Sequence, residues 1–170
     1  DGTVDALRAR WPGVRVIEAG RNSGFAAANN LGIRAATSDL VLLLNSDTIV
    51  TRGALDAMVS DLVASPDVAA LGPRIVDGSG RAELSFGRMM TPWNELRQKV
   101  LVRQYERGNR LMSGWVERAT RRLHHPDWVS GACLLARRTD VLAAGLLDER
   151  YFLYAEDVDV CAALRGLEGA

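Results

Sequence analysis

At 170 residues the chain is about the size of one domain, and 21 basic residues cancel 21 acidic ones. With 48% hydrophobic and 25% charged residues it has an ordinary globular balance, which excludes a disordered chain, a collagen-like repeat and a strongly basic nucleic-acid binder. No run approaches the roughly 20 apolar residues that cross a bilayer, and the opening residues Asp1-Gly2-Thr3 do not themselves read as a secretory signal. Cys133 and Cys161 form no metal-type pair and are expected to be buried and reduced.

In chain order, a helix is predicted over Val4 to Arg10, with Thr3 as its N-cap and Trp11-Pro12-Gly13 as its stop. Val14 to Ile17 reads as a short strand. Gly24 to Ala36, rich in Ala, reads as a helix. Leu40 to Leu44 is a continuous apolar strand, the kind buried on both faces of a parallel sheet. It ends abruptly in Asn45-Ser46-Asp47-Thr48. A helix follows over Gly53 to Ala64, with Leu55, Met58, Val59, Leu62 and Val63 on one face. Val68 to Val76 is a strand closed by a turn at Asp77-Gly78-Ser79-Gly80. This alternation predicts an α/β fold with a mostly parallel sheet flanked by helices.

Residues 87–127 interrupt the pattern. Between Trp93 and His125 there is a local excess of five positive charges. Apolar residues recur at helical spacing, at Trp93, Leu96 and Val100, then at Leu111, Met112, Trp115, Val116, Ala119 and Leu123. Two amphipathic helices with a turn near Gly108-Asn109 are predicted. Their apolar faces would cover the sheet or lie against an anionic membrane surface. His124 and His125 have no motif around them and read as surface residues. A strand resumes near Leu134 to Ala136, and helices are predicted to start near Thr139-Asp140 and at Glu156.

Three stretches carry chemistry. Asn45-Ser46-Asp47 follows the most buried strand, where open α/β sheets bind ligands. A carboxylate there suits a hard divalent cation, although Ser46 or Asp47 is equally suited to cap the next helix. Glu156-Asp157-Val158-Asp159 places three carboxylates within four residues, just after Tyr151-Phe152-Leu153-Tyr154. Such clustering suits one of them to base work, and a helix's first turn also favours acids. Gly20-Arg21-Asn22-Ser23-Gly24-Phe25 opens an Ala-rich helix and would let backbone N–H groups approach a phosphate or ribose. It is neither a Walker loop nor a dinucleotide fingerprint. Gly131 beside Ser130 and Ala132 would admit a ligand close to the backbone, or is a packing glycine.

The order of these pieces resembles the inverting glycosyltransferases of family 2, with the GT-A fold, especially their bacterial rhamnosyltransferase-like branch. The matching stretches are DGTVDALRARWPGVRVIEAGRNSGFAAANNLGIRAA, DLVLLLNSDTIV and WVSGACLLARRTDVLAAGLLDERYFLYAEDVDVC. The resemblance implies a nucleotide-sugar donor and a glycan or lipid-linked acceptor in cell-envelope polysaccharide synthesis. Rhamnose or a related hexose would be transferred with inversion. It implies Asp47 as ligand to Mg²⁺ or Mn²⁺, with Asn45 as first member of the family's Asp-x-Asp variant. Asp157 would be the catalytic base and Glu156 its partner. Asn22, Gly24 and Asn30 would lie near the nucleotide, and Asp1 would end an acidic loop touching the base or ribose. Trp128 and Gly131 would border the sugar and acceptor site.

Ala163 stands about where the family carries an Arg. The family's first strand is expected before Asp1 and its C-terminal segment after Ala170. The chain is therefore expected to be one partial catalytic domain, 1–170, with a basic helical insert at about 87–127, and inactive alone. Its expected location is the cytoplasm, peripheral on the inner face of the plasma membrane. The competing readings are a sugar nucleotidyltransferase and an inactive membrane-docking or interaction fragment.

Overall fold

The computed structural model describes residues 2–168. Its helices are α1 (Thr3–Arg10), α2 (Phe25–Ala35), α3 (Ala54–Ala64), α4 (Pro92–Glu106), α5 (Arg110–Thr120), α6 (Arg138–Ala143) and α7 (Glu156–Glu168). Its strands are β1 (Leu40–Leu44), β2 (Ala70–Leu71), β3 (Phe86–Gly87), β4 (Trp128–Val129) and β5 (Cys133–Arg137).

β5 is the middle of a three-stranded sheet in the order β1-β5-β2. Its side chains alternate between two cores, as the period-two pleat requires. Leu134 and Ala136 pack with Val41 and Leu43 of β1, with Ala26 and Ile33 of α2, and with Val160, Cys161 and Leu164 of α7. Cys133 and Leu135 face the other way, onto Met58 and Leu62 of α3 and partly buried Leu40 and Leu42. The apolar run Leu40 to Leu44 thus meets apolar side chains on both of its faces. Only Met58 and Leu62 of the predicted α3 face are buried; Leu55, Val59 and Val63 remain exposed.

The sheet is not the mostly parallel one predicted. β1 and β2 both pair with β5 antiparallel, with Leu42 opposite Leu135 and Leu71 opposite the same residue across the other edge. β1 and β2 run in one direction, but β5 separates them. The expected strand at Val14 to Ile17 does not form; Val14 and Ile17 are exposed and no strand pairs with them among the described residues. The strand predicted over Val68 to Val76 shrinks to two residues. Gly72 lies hard against the Val129 side chain, and Pro73 has no N–H to give a ladder. Val76 then bridges to Ala82 around a turn that the Asp77 carboxylate holds. Bonds from Ser79 and Arg81 hold that carboxyl below its ordinary range.

β3 pairs antiparallel with β4, so residues 88–127 leave and return through one two-stranded neck. Thr91 caps α4, with Pro92 behind it, and Asn109 caps α5. The two helices close a small core of their own, in which Tyr105 and Val116 meet Ala82. The Tyr105 hydroxyl donates to the Ala82 carbonyl at 2.8 Å. The remaining apolar residues of α4 and α5 mostly face outward and do not cover the sheet.

Cys133 and Cys161 are buried free thiols, and burial raises both above the ordinary thiol range. They stay protonated at neutral pH and inert as nucleophiles.

Candidate active site

Four segments converge on the first turn of α7, at the end of the sheet where β1 exits. Asn45, half-buried, donates its backbone N–H to the Ala132 carbonyl at 3.0 Å. The Thr48 hydroxyl donates to the same carbonyl at 3.3 Å. One residue earlier, the Gly131 N–H donates to Asp157 Oδ2 at 3.0 Å. The second oxygen, Oδ1, accepts from the Val158 N–H at 2.9 Å. The turn 130–132 therefore ties the exit of β1 to the first turn of α7. Each carboxylate oxygen of Asp157 keeps a lone pair beyond the one it uses.

The start of α2 is the third segment. Gly24 adopts φ 91° and ψ 173°, a region open essentially to glycine. A Cβ there would stand 2.5 Å from the Phe152 carbonyl oxygen. That oxygen accepts from the Phe25 N–H at 3.1 Å. The Phe25 ring in turn lies 3.4 Å from where a Gly131 Cβ would be, and the Asp157 Cβ lies 3.5 Å from the same point. Gly24, Gly131 and Asp157 are thus brought together around Phe25. Phe25 and Phe152 were not foreseen as members; an aromatic directly after the loop glycine was the available signal.

The fourth segment, 151–155, is strained. Tyr154 and Ala155 hold φ of 71° and 72°, in the left-handed region, although neither is glycine. Such residues cost of order 1–3 kcal/mol each and concentrate at functional sites. The bond to Phe152 and the Asp159 N–H donated to Ala155 hold the segment in place.

Glu156 is buried, and its Oε2 has no hydrogen-bond partner among the described residues. A buried acceptor left unmet costs about 1–3 kcal/mol, more if charged. Beside the half-buried Asp157 there is therefore an unanswered demand for a donor.

Asp47 is exposed in the turn after β1, and its carboxylate has no protein partner among the described residues. No group of three or more His, Cys, Asp or Glu is placed to hold an ion among those residues. A magnesium-type ion held by one or two carboxylates and completed by substrate phosphates needs no such cage. Asp47 fits that kind of site and not a protein-only one.

The other expected site residues divide. Asn22 accepts the Gly24 N–H on Oδ1 at 3.2 Å and so shapes the loop before α2. Asn30, expected beside the nucleotide, is instead 2% exposed and braces the fold. Its amide donates to the Leu147 carbonyl at 2.8 Å and to Glu149 Oε1 at 3.0 Å, and accepts from the Leu147 N–H at 3.1 Å. With both ends of the amide taken, none is left to face a ligand. Asn30→Ala should strand the Leu147 backbone groups and lower stability by about 1–3 kcal/mol per group, read as a shift in the denaturation midpoint. Trp128, expected at the sugar, gives its Nε1–H to the Arg88 carbonyl at 3.0 Å. It lines a cleft between β2, residues 122–129 and α7 whose wall includes neither Asp47 nor Asp157. Asp1 lies outside the described residues.

Residues 1–127 match the family model described as Glycosyl transferase family 2. The chain belongs to glycosyl transferase family 2. It is 33% identical over 171 aligned residues to an N-acetylglucosaminyl-diphospho-decaprenol L-rhamnosyltransferase of Mycobacterium tuberculosis, covering 94% of this chain and 56% of the relative. It is 23% identical to a low-salt glycan biosynthesis hexosyltransferase of Haloferax volcanii, covering 89% of this chain and 46% of that one. A shorter match, 38% over 63 residues, joins it to a pre-mycofactocin glycosyltransferase of Mycobacterium tuberculosis. The chain spans about half the length of the first two relatives. Family 2 membership carries the GT-A fold, and the helix–sheet–helix layering around β5 is its expression here.

Proposed function

We propose that this protein contributes the acceptor-activating half of an inverting sugar transfer. A sugar, rhamnose or a related hexose, leaves a nucleotide diphosphate for a glycan or lipid-linked acceptor of the cell envelope. The observation that carries the reading is the Gly131–Asp157 bond, which fixes a carboxylate at the β1 exit beside Asn45-Ser46-Asp47. Asp157 takes the proton of the acceptor hydroxyl as its oxygen attacks the anomeric carbon. Glu156, buried next to Asp157, is the partner of the base. Exposed Tyr151, Phe152 and Tyr154 offer ring faces to a sugar on the acceptor side. Asp47, with Asn45 at its side, would hold Mg²⁺ or Mn²⁺ against the donor diphosphate, and such an ion offsets charge growing on the leaving group. The shaped corner orients both partners. The place of work is the inner face of the plasma membrane, where a lipid-linked acceptor is presented.

The test uses a chain extended to the full length of its relatives and a panel of nucleotide-diphosphate sugars. Release of nucleoside diphosphate with sugar on the acceptor supports the transfer. Release of pyrophosphate would instead make it a nucleotidyltransferase. In the same protein, Asp47→Ala should abolish Mn²⁺-dependent binding of the donor nucleotide in calorimetry. An exposed turn residue contributes little to the core, so stability should change by no more than about 0.5 kcal/mol. Unchanged metal-dependent binding would leave Asp47 as a turn residue only.

A further inference from the structure

The outward surface of the 88–127 excursion is apolar and basic at once. On α4, Trp93 is 68% exposed, Leu96 53% and Val100 52%. At 3.6 residues per turn these three lie within about 60° of one another. Arg103 sits at one side of the stripe and Arg97 at the other, within about 40° of its edges. On α5, Leu111 is 80% exposed and Trp115 45%. Arg118 shares their face, within about 60°. Leu96 and Val100 of the α4 stripe line one shallow groove with Met112 of α5, so the two helices meet at this outer side of the excursion. Among the described residues Arg97, Arg103, Arg107, Arg110, Arg118 and Arg122 form no ion pair; Lys99 and Arg121 are paired to Glu95 and Glu117.

Neither the small core under Tyr105 nor the sheet uses this surface. Its indoles and leucines keep about half or more of their surface exposed and belong to neither core. An arginine guanidinium on a long stem reaches past such side chains to a polar plane. We infer that α4 and α5 dock the protein on an anionic phospholipid surface, with Trp93, Leu96, Val100, Leu111 and Trp115 at the acyl boundary and the unpaired arginines on the headgroups. Charge complementarity selects this occupant. A second copy would bring one arginine-rich face against another, which is repulsive, whereas an anionic leaflet attracts each arginine and accepts the apolar stripe. The inference deepens the proposed work at a membrane face and rests on that reading only for its purpose, since lipid binding needs no donor or acceptor.

Flotation of the full chain with vesicles tests it. Vesicles of phosphatidylglycerol in phosphatidylcholine should carry the protein upward, and vesicles of phosphatidylcholine alone should not. Added salt should weaken the binding, because exposed charges are screened. Arg97→Ala with Arg103→Ala should lower partitioning roughly 30-fold, from about 1 kcal/mol for each arginine near the surface. Leu96→Glu with Val100→Glu should abolish it, while the exposure of both positions leaves the helical circular dichroism unchanged. Equal flotation on neutral lipid, no flotation on either, or undiminished flotation of the Leu96→Glu, Val100→Glu variant would overturn the docking. So would concentration-dependent dimerisation that this variant removes, which would make a second copy the occupant. Transfer to a short, water-soluble acceptor is measured in parallel on the chain extended to the length of its relatives. It should be unaffected by these substitutions; flotation without any transfer would overturn the proposed chemistry and leave the docking intact.

Discussion

Asp157→Asn should bind donor nucleotide almost normally and turn over about 10²- to 10⁴-fold more slowly, the usual worth of a positioned base. The substitution is close to isosteric, but an amide takes no proton at neutral pH. It has one acceptor oxygen where the carboxylate has two. Of the N–H groups of Gly131 and Val158, one must then lose its partner. The fold should weaken by about 1 kcal/mol, the ordinary net worth of a hydrogen bond. That loss is far too small to account for the turnover, so the two effects separate in one variant. Asp159→Asn is the matched control. Two residues further along α7, its side chain leaves the helix about 200° away from that of Asp157. It should retain most of the activity. A crippled Asp159→Asn beside a nearly normal Asp157→Asn would move the base to Asp159 and remove Gly131 from the mechanism. The measurement is steady-state turnover with donor binding by calorimetry, on the chain extended to the length of its relatives.

What was legible in the sequence follows from what each residue pattern depends on. Leu40 to Leu44 is apolar at every position because both of its faces meet apolar side chains, and no distant partner is needed to see that. The polar break at Asn45 marks the strand's exit for the same local reason. The helical spacing from Trp93 to Leu123, broken by the turn near Gly108-Asn109, is equally local, and in the structure Thr91 and Asn109 cap the two helices. Strand direction is another matter. Whether β1 has a parallel or antiparallel neighbour is decided by Cys133 to Arg137, about ninety residues on, and an apolar run reads identically either way. Val14 to Ile17 has the composition of a strand but no pairing edge among the described residues, and unpaired β-propensity does not hold a strand together. Asn30 fails for a different reason. A polar residue in an Ala-rich helix looks the same whether it faces a ligand or a backbone turn; only the Leu147 and Glu149 partners, more than a hundred residues away, distinguish them.

Gly24 is the position where the same ambiguity has the largest consequence. As part of a nucleotide loop it would tolerate a small side chain at some cost in donor affinity. The structure gives it a second duty, since its missing Cβ is the space occupied by the Phe152 carbonyl. Gly24→Ala would place a methyl 2.5 Å from that oxygen, in a backbone conformation that L-residues scarcely adopt. The backbone strain is of order 1–3 kcal/mol, and the carbonyl must also move. Phe152 lies just before the strained pair Tyr154-Ala155 and the first turn of α7, so the displacement is passed to Asp157. A shift near 1 Å in a reacting group costs about 10²-fold in rate. The expected result is therefore a fall of that size in turnover, with the binding of donor nucleotide and metal largely kept. Gly20→Ala separates strain from space. Gly20 also has a positive φ, 73°, but a Cβ there meets nothing within 4 Å. It should lose stability through its backbone alone and keep its turnover. If Gly24→Ala instead lost donor binding in calorimetry while turnover at saturating donor stayed normal, the glycine would belong to the nucleotide and Phe152 would only be its neighbour.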